Sequence, residues 1–131
     1  MMQIGFAFLC DAAQDSGGKL HALGVGVDVL HAASLPAVHP HLSLVVRFVY
    51  GGEDEGEHGF SIAVLDADGK HVVSPVSGQM TLRLNPEETS GAANLVVDLQ
   101  NAQFTTYGPH EVTVAVDGGV LATLPLSVRR L

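Results

Sequence analysis

The feature that most constrains this chain is a recurring run of alternating apolar and polar residues, closed each time by a glycine-, asparagine- or aspartate-rich turn. His41-Leu42-Ser43-Leu44-Val45-Val46-Arg47-Phe48 is one such run. Glu111-Val112-Thr113-Val114-Ala115-Val116, followed by Asp117-Gly118-Gly119, is another. A period of two sends successive side chains to opposite faces of a strand, whereas a helix needs apolar residues three and four apart. No stretch sustains the helical spacing, so the chain is expected to be all-β. The strand lengths and turn spacing predict an immunoglobulin-like antiparallel β-sandwich of about eight or nine strands.

The first predicted strand is Gln3 to Cys10, with Ile4, Phe6 and Phe8 sharing one face and Cys10 joining them inside. A turn at Asp15-Ser16-Gly17-Gly18-Lys19 leads to a second, Leu20 to Val29, broken by Gly24 and Gly26. Pro36 and Pro40 lack ladder donors, so His31 to Pro40 reads as an irregular link. His41 to Tyr50 is the third strand, with Leu42, Leu44, Val46 and Phe48 inward. Gly51 to Gly59 reads as an exposed acidic loop. Further strands follow at Phe60 to Leu65, near His71 to Ser74, at Gln79 to Leu84 and at Ala93 to Gln100. Asn101 to Pro109 reads as irregular. His110 to Val116 and Val120 to Val128 form a closing hairpin.

A chain of 131 residues fits one domain, residues 1–131, large enough for a substantial core. Six basic residues against fourteen acidic ones give a formal charge of −8, which argues against nucleic acid and anionic membranes as partners. The absence of tryptophan removes the strongest stacking platform for sugars and bases. One cysteine permits no internal disulfide and suits a reducing compartment. No basic residue precedes the short apolar stretch Ile4 to Cys10, and no run approaches the roughly 20 apolar residues of a membrane helix. A cytoplasmic protein is the expectation.

Several stretches resemble the opening and closing of a family of uncharacterised bacterial proteins. They are Phe6-Ala7-Phe8-Leu9-Cys10-Asp11, Gly18-Lys19-Leu20, Leu23-Gly24-Val25-Gly26-Val27-Asp28, Pro36, His39-Pro40-His41-Leu42-Ser43-Leu44-Val45-Val46-Arg47, and the hairpin around Asp117-Gly118 with Leu126 and Val128. The resemblance covers most of the chain. It implies a compact immunoglobulin-like sandwich and no catalytic residues. Related sandwiches often carry a tyrosine after glycine at the start of the penultimate strand; here Tyr107 precedes Gly108.

Side chains that could carry chemistry are few. His39-Pro40-His41 in extended backbone would present two imidazoles on one side, and His31 could add a third metal ligand. The competing reading, one histidine capping the strand and the other solvated, fits the lack of a spaced Cys, Asp or Glu. Glu53-Asp54-Glu55-Gly56-Glu57-His58 offers oxygens to a hard cation, though a solvated acidic loop explains it more simply. Asp66-Ala67-Asp68-Gly69 imitates a calcium loop, but that register puts Val64 and Pro75 at ligand positions, so a turn is expected. Cys10 is expected to be buried and inert. Asp11 and Asp28 read as turn or cap residues. No nucleophile elbow, phosphate loop or metal-binding signature is present, so no enzyme activity and no cofactor are expected.

These readings lead to a non-catalytic interaction or structural module. It would meet a protein partner, or a second copy, through an open sheet edge at Val120 to Val128 or Ala93 to Gln100. The alternative is a small-ligand or metal-binding domain built on the histidines.

Overall fold

A computed structural model describes residues 2–131. The chain is all-β, with ten strands and one short 3₁₀ turn among the described residues: β1 (Gln3–Cys10), β2 (Ala12–Ser16), β3 (Lys19–Leu23), β4 (Val29–Ala32), β5 (Ala37–Gly51), the 3₁₀ turn Gly52–Asp54, β6 (Gly56–Leu65), β7 (Val76–Leu82), β8 (Ser90–Phe104), β9 (Gly108–Val116) and β10 (Gly119–Arg130). One sheet runs β1-β5-β8. A second runs β4-β10-β9-β6-β7. The β2–β3 hairpin stands as a sheet of its own. Every pairing is antiparallel except β4 with β10, where Val29 to Ala32 lie in parallel register with Ser127 to Arg130.

The two larger sheets share one buried apolar cluster. Leu9, Leu42, Leu44, Val46 and Phe48 come from the first sheet, and Ile62, Val64, Val112, Val114, Leu126 and Val128 from the second. Each such side chain contributes about 1.5–3 kcal/mol when removed from water. For β5, Leu42, Leu44, Val46 and Phe48 are the inward residues read from the sequence.

The strand map departs from the sequence reading in several places. The predicted second strand is divided. Lys19 to Leu23 pairs with β2, and strand structure resumes only at Val29, because Gly24 and Gly26 adopt φ of 66° and 95° and turn the chain between. The predicted link over residues 31–40 contains the second half of β4 and the start of β5. Pro40 is tolerated because the β5–β8 ladder passes from His39↔Ala102 to His41↔Gln100, skipping Pro40 and Asn101, whose φ is 55°. The predicted strand near His71 shrinks to a single bridge, Leu65↔His71. The region 101–104 belongs to β8.

The largest departure is at Gly5, where the β1–β5 register shifts between Ile4 and Phe6. One extra residue reverses every later side chain. Ile4, Ala7 and Leu9 oppose Phe48, Val46 and Leu44 on the core face. Phe6, Phe8 and Cys10 oppose Arg47, Val45 and Ser43 on the other face, against the parity expected for them. The Phe6 and Phe8 rings stack there, 5.8 Å apart. Cys10 and Val45 are nonetheless fully buried, and neither belongs to the main cluster. The β2–β3 hairpin lies over this face, with β2 packed near β5 and β8. It is tied down by Asn94 Nδ2 donating to the Gly18 carbonyl (3.2 Å) and by His41 Nδ1, 2.6 Å from the Asp11 carbonyl.

Candidate functional site

The three histidines proposed as metal ligands do not come together. His31 lies on β4, paired with Arg129 in the second sheet, while His39 and His41 lie on β5 in the first. The parallel attachment of β4 to β10 carries His31 away from the other two. Among the described residues no group of three His, Cys, Asp or Glu side chains could hold a metal ion.

His41 instead belongs to a polar row across the covered face of the first sheet. Ser43 Oγ donates to Asp98 Oδ1 at 2.7 Å, and His41 Nε2 stands 3.6 Å from the same oxygen. The carboxylate sits between hydroxyl and imidazole. A relay that activates a serine needs the imidazole in the middle, so this order does not provide one. Cys10 Sγ is in contact with the carbonyls of Ala12 (3.5 Å) and Ser43 (3.7 Å), and burial pushes its thiol pKa up, away from the nucleophilic thiolate.

The acidic segment 53–58 is more ordered than a solvated loop. Residues 52–54 form the 3₁₀ turn, with Asp54 Oδ2 accepting from the Gly51 N–H at 3.0 Å. That bond comes first among the influences holding the Asp54 carboxyl below its ordinary range. His58 then lies on β6 rather than in the loop. Its Nδ1 is 2.6 Å from Asp117 Oδ2 and its Nε2 is 2.6 Å from the Asp54 carbonyl oxygen. Asp117 sits at φ 51° in the β9–β10 turn, and its Oδ1 accepts from the Gly59 N–H at 3.0 Å. Met2, Val116 and Leu121 line a shallow cavity of about 300 Å³ beside this group. The His58–Asp117 pairing is absent from the sequence reading. Fifty-nine positions separate the two, and the only local signal is an aspartate at a hairpin turn opposite a histidine-bearing strand.

The Asp66 turn is as expected. Asp66 Oδ1 accepts from the N–H groups of Asp68 and Lys70, both at 2.9 Å, and Gly69 has φ 81°. The bond from Lys70 N–H is the main cause of a lowered Asp66 pKa. Tyr107 donates its hydroxyl to the Ala32 carbonyl at 3.1 Å and receives the Arg130 guanidinium over its ring, bracing β4.

Four strands lie at the edges of the two larger sheets. β8 is one, as the reading of Ala93 to Gln100 anticipates. Val120 to Val128 is open in part: β10 lies between β9 and β4, but β4 pairs with it only from Ser127 to Arg130, and the stretch before Ser127 holds Pro125. The edges differ in protection. β1 has the Gly5 bulge, β4 is four residues long, and β8 carries Asp98 and the irregularity at Asn101. β7 pairs only with β6, through seven consecutive residue pairs from Ile62↔Val76 to Gly56↔Leu82 with no register shift. Its sequence, Val-Ser-Gly-Gln-Met-Thr-Leu, holds neither charge nor proline.

The geometry therefore defines an all-β protein whose polar side chains mostly bind turns, strands and one another. The chain belongs to a family of unknown function, DUF6941, whose model matches residues 5–129. No curated protein matches it. Among solved structures, it is similar to the Pseudomonas fluorescens alkylpurine DNA glycosylase AlkC bound to DNA containing an abasic site analog, with 11% identity and a TM-score of 0.55. The likeness covers 98% of this chain and 30% of that protein, so the chain spans less than a third of its length. At that identity the similarity is one of fold. No helix among the described residues is long and apolar enough to cross a membrane.

Proposed function

We propose that the protein is a non-catalytic interaction module with an immunoglobulin-like arrangement, and that it takes up an extended segment of a partner protein along β7. The strand orders support the fold reading. β1-β5-β8 corresponds to the A-B-E side of an immunoglobulin sandwich, and β10-β9-β6-β7 to G-F-C-C′. The initial strand region is divided between the two sheets as β1 and β4.

The observation that carries the interaction reading is the regular, uncharged and proline-free edge of β7. Natural sheets usually blunt such an edge with a charge, a bulge or a short strand, because its unpaired N–H and C=O groups recruit other chains. Two copies of a chain with formal charge −8 repel each other, which favours a different protein over self-association.

The test is affinity capture with the wild type, with Gln79→Lys/Thr81→Lys on the exposed face of β7, and with Gln14→Lys/Ser16→Lys as a charge-matched control on β2. The expected result is a partner retained by wild type and control and lost by the β7 variant. Retention by all three proteins, or no partner together with a strictly monomeric wild type in light scattering, overturns the proposal.

A further inference from the structure

We infer that His58 is a charged pin: a doubly protonated imidazole fastens the β5–β6 connection to the β9–β10 turn, and loss of one ring proton releases one of its two contacts. The argument is a count of donors. The ring nitrogens lie 2.6 Å from Asp117 Oδ2 and 2.6 Å from the Asp54 carbonyl oxygen. A carboxylate and a carbonyl only accept hydrogen bonds, and a neutral imidazole has one N–H and one lone pair. Any neutral tautomer therefore sets a lone pair against an oxygen. Only the imidazolium satisfies both.

The surroundings reinforce this form. Asp117 faces the ring from the β9–β10 turn, and the Asp54 carboxylate lies nearby on the 3₁₀ turn. Met80 opposite on β7, Val116 on β9, and Met2 and Leu121 around the cavity are uncharged. The turn cannot easily retreat, because the Asp117 N–H donates to the Gly59 carbonyl at 2.8 Å while its Oδ1 accepts from the Gly59 N–H.

The hydrogen bond to Asp117, followed by that to the Asp54 carbonyl, raises the His58 pKa above its ordinary 6.5 against the opposing effect of burial. The same pair lowers the Asp117 pKa below 3.8. The histidine's contribution is thus complete below its unfolded value and fades as pH rises through its raised folded value. The aspartate's contribution is present above its unfolded value and fades as pH falls through its lowered one. The pin is whole in the interval between and releases on the alkaline side by losing a histidine proton.

Ring ¹⁵N and ¹H NMR of the intact protein, titrated from about pH 5 to 10, tests this directly. His58 is expected to carry protons on both nitrogens near pH 7, and its midpoint is expected to fall by about one pH unit in Asp117→Asn. Exchange of the Gly59 amide, corrected for base catalysis, is expected to rise about tenfold above the wild-type midpoint. A lone pair on either ring nitrogen near pH 7, or an unchanged midpoint in Asp117→Asn, overturns the inference. The wild-type spectra alone decide it should the variant not fold.

Discussion

Gly78 offers a sharp test of how the β7 edge is built. It lies opposite Phe60 in the β6–β7 ladder, and the Phe60 ring crosses the place where a side chain would stand. A Cβ on residue 78 would fall 2.7 Å from Phe60 Cζ and 2.8 Å from Cε2. Carbon atoms pack best at about 3.5–4.0 Å, so an alanine overlaps the ring by roughly 1 Å. Phe60 packs against the main cluster and must leave its place. Displacing a packed side chain costs about 1–3 kcal/mol. Replacing an extended glycine by alanine returns about 0.5–1 kcal/mol through lower chain entropy. Gly78→Ala is therefore expected to destabilise by about 0.5–2 kcal/mol, and Tm falls by roughly 4 °C per kcal/mol at this chain length. In a Phe60→Ala background the overlap is gone, and the same substitution becomes neutral or slightly stabilising. Urea denaturation of the four proteins should give a coupling energy of about 1–3 kcal/mol. An equal cost in both backgrounds would refute the reasoning.

Two further outcomes follow from single contacts. Tyr50 is buried, and its hydroxyl donates to the Arg83 carbonyl at 2.7 Å, so Tyr50→Phe should lower unfolding stability by about 1 kcal/mol in chemical denaturation. Cys10 is fully buried with its thiol pKa raised by burial, so iodoacetamide should label it at neutral pH only when the protein unfolds. Rapid labelling of native protein would show that the β2–β3 hairpin opens readily.

The sequence reading succeeds where a strand has one wet and one dry face. Leu42, Leu44, Val46 and Phe48 are legible by alternation, and Asp117-Gly118 by turn chemistry. It fails where the backbone changes parity or covers a face from outside. Nothing in Ile4-Gly5-Phe6 says that Gly5 is an inserted residue rather than a strand position. Reading straight through it places Phe6, Phe8 and Cys10 on the wrong side. Val45 and Ser43 read as an outer face; the hairpin that buries them comes from earlier in the chain. The candidate histidines show the same limit. His39 and His41 are two apart and their strand was visible, whereas His31 follows a parallel pairing made with residues about a hundred positions away, which local pattern cannot reveal. His58 reads as part of an acidic loop, and its role depends on Asp117.

That parallel pairing also makes one strand depend on a distant one. β4 is four residues long, and its strand partner is Ser127 to Arg130. So short a segment has no persistence as an extended strand by itself. Its pairing with β10 closes a chain segment of roughly a hundred residues. The Tyr107 hydroxyl on the Ala32 carbonyl and the Arg130 guanidinium over the same ring hold the two strands together at that end. The second sheet is completed from its far side, and a chain interrupted before Ser127 would leave β4 without the neighbour that makes it a strand.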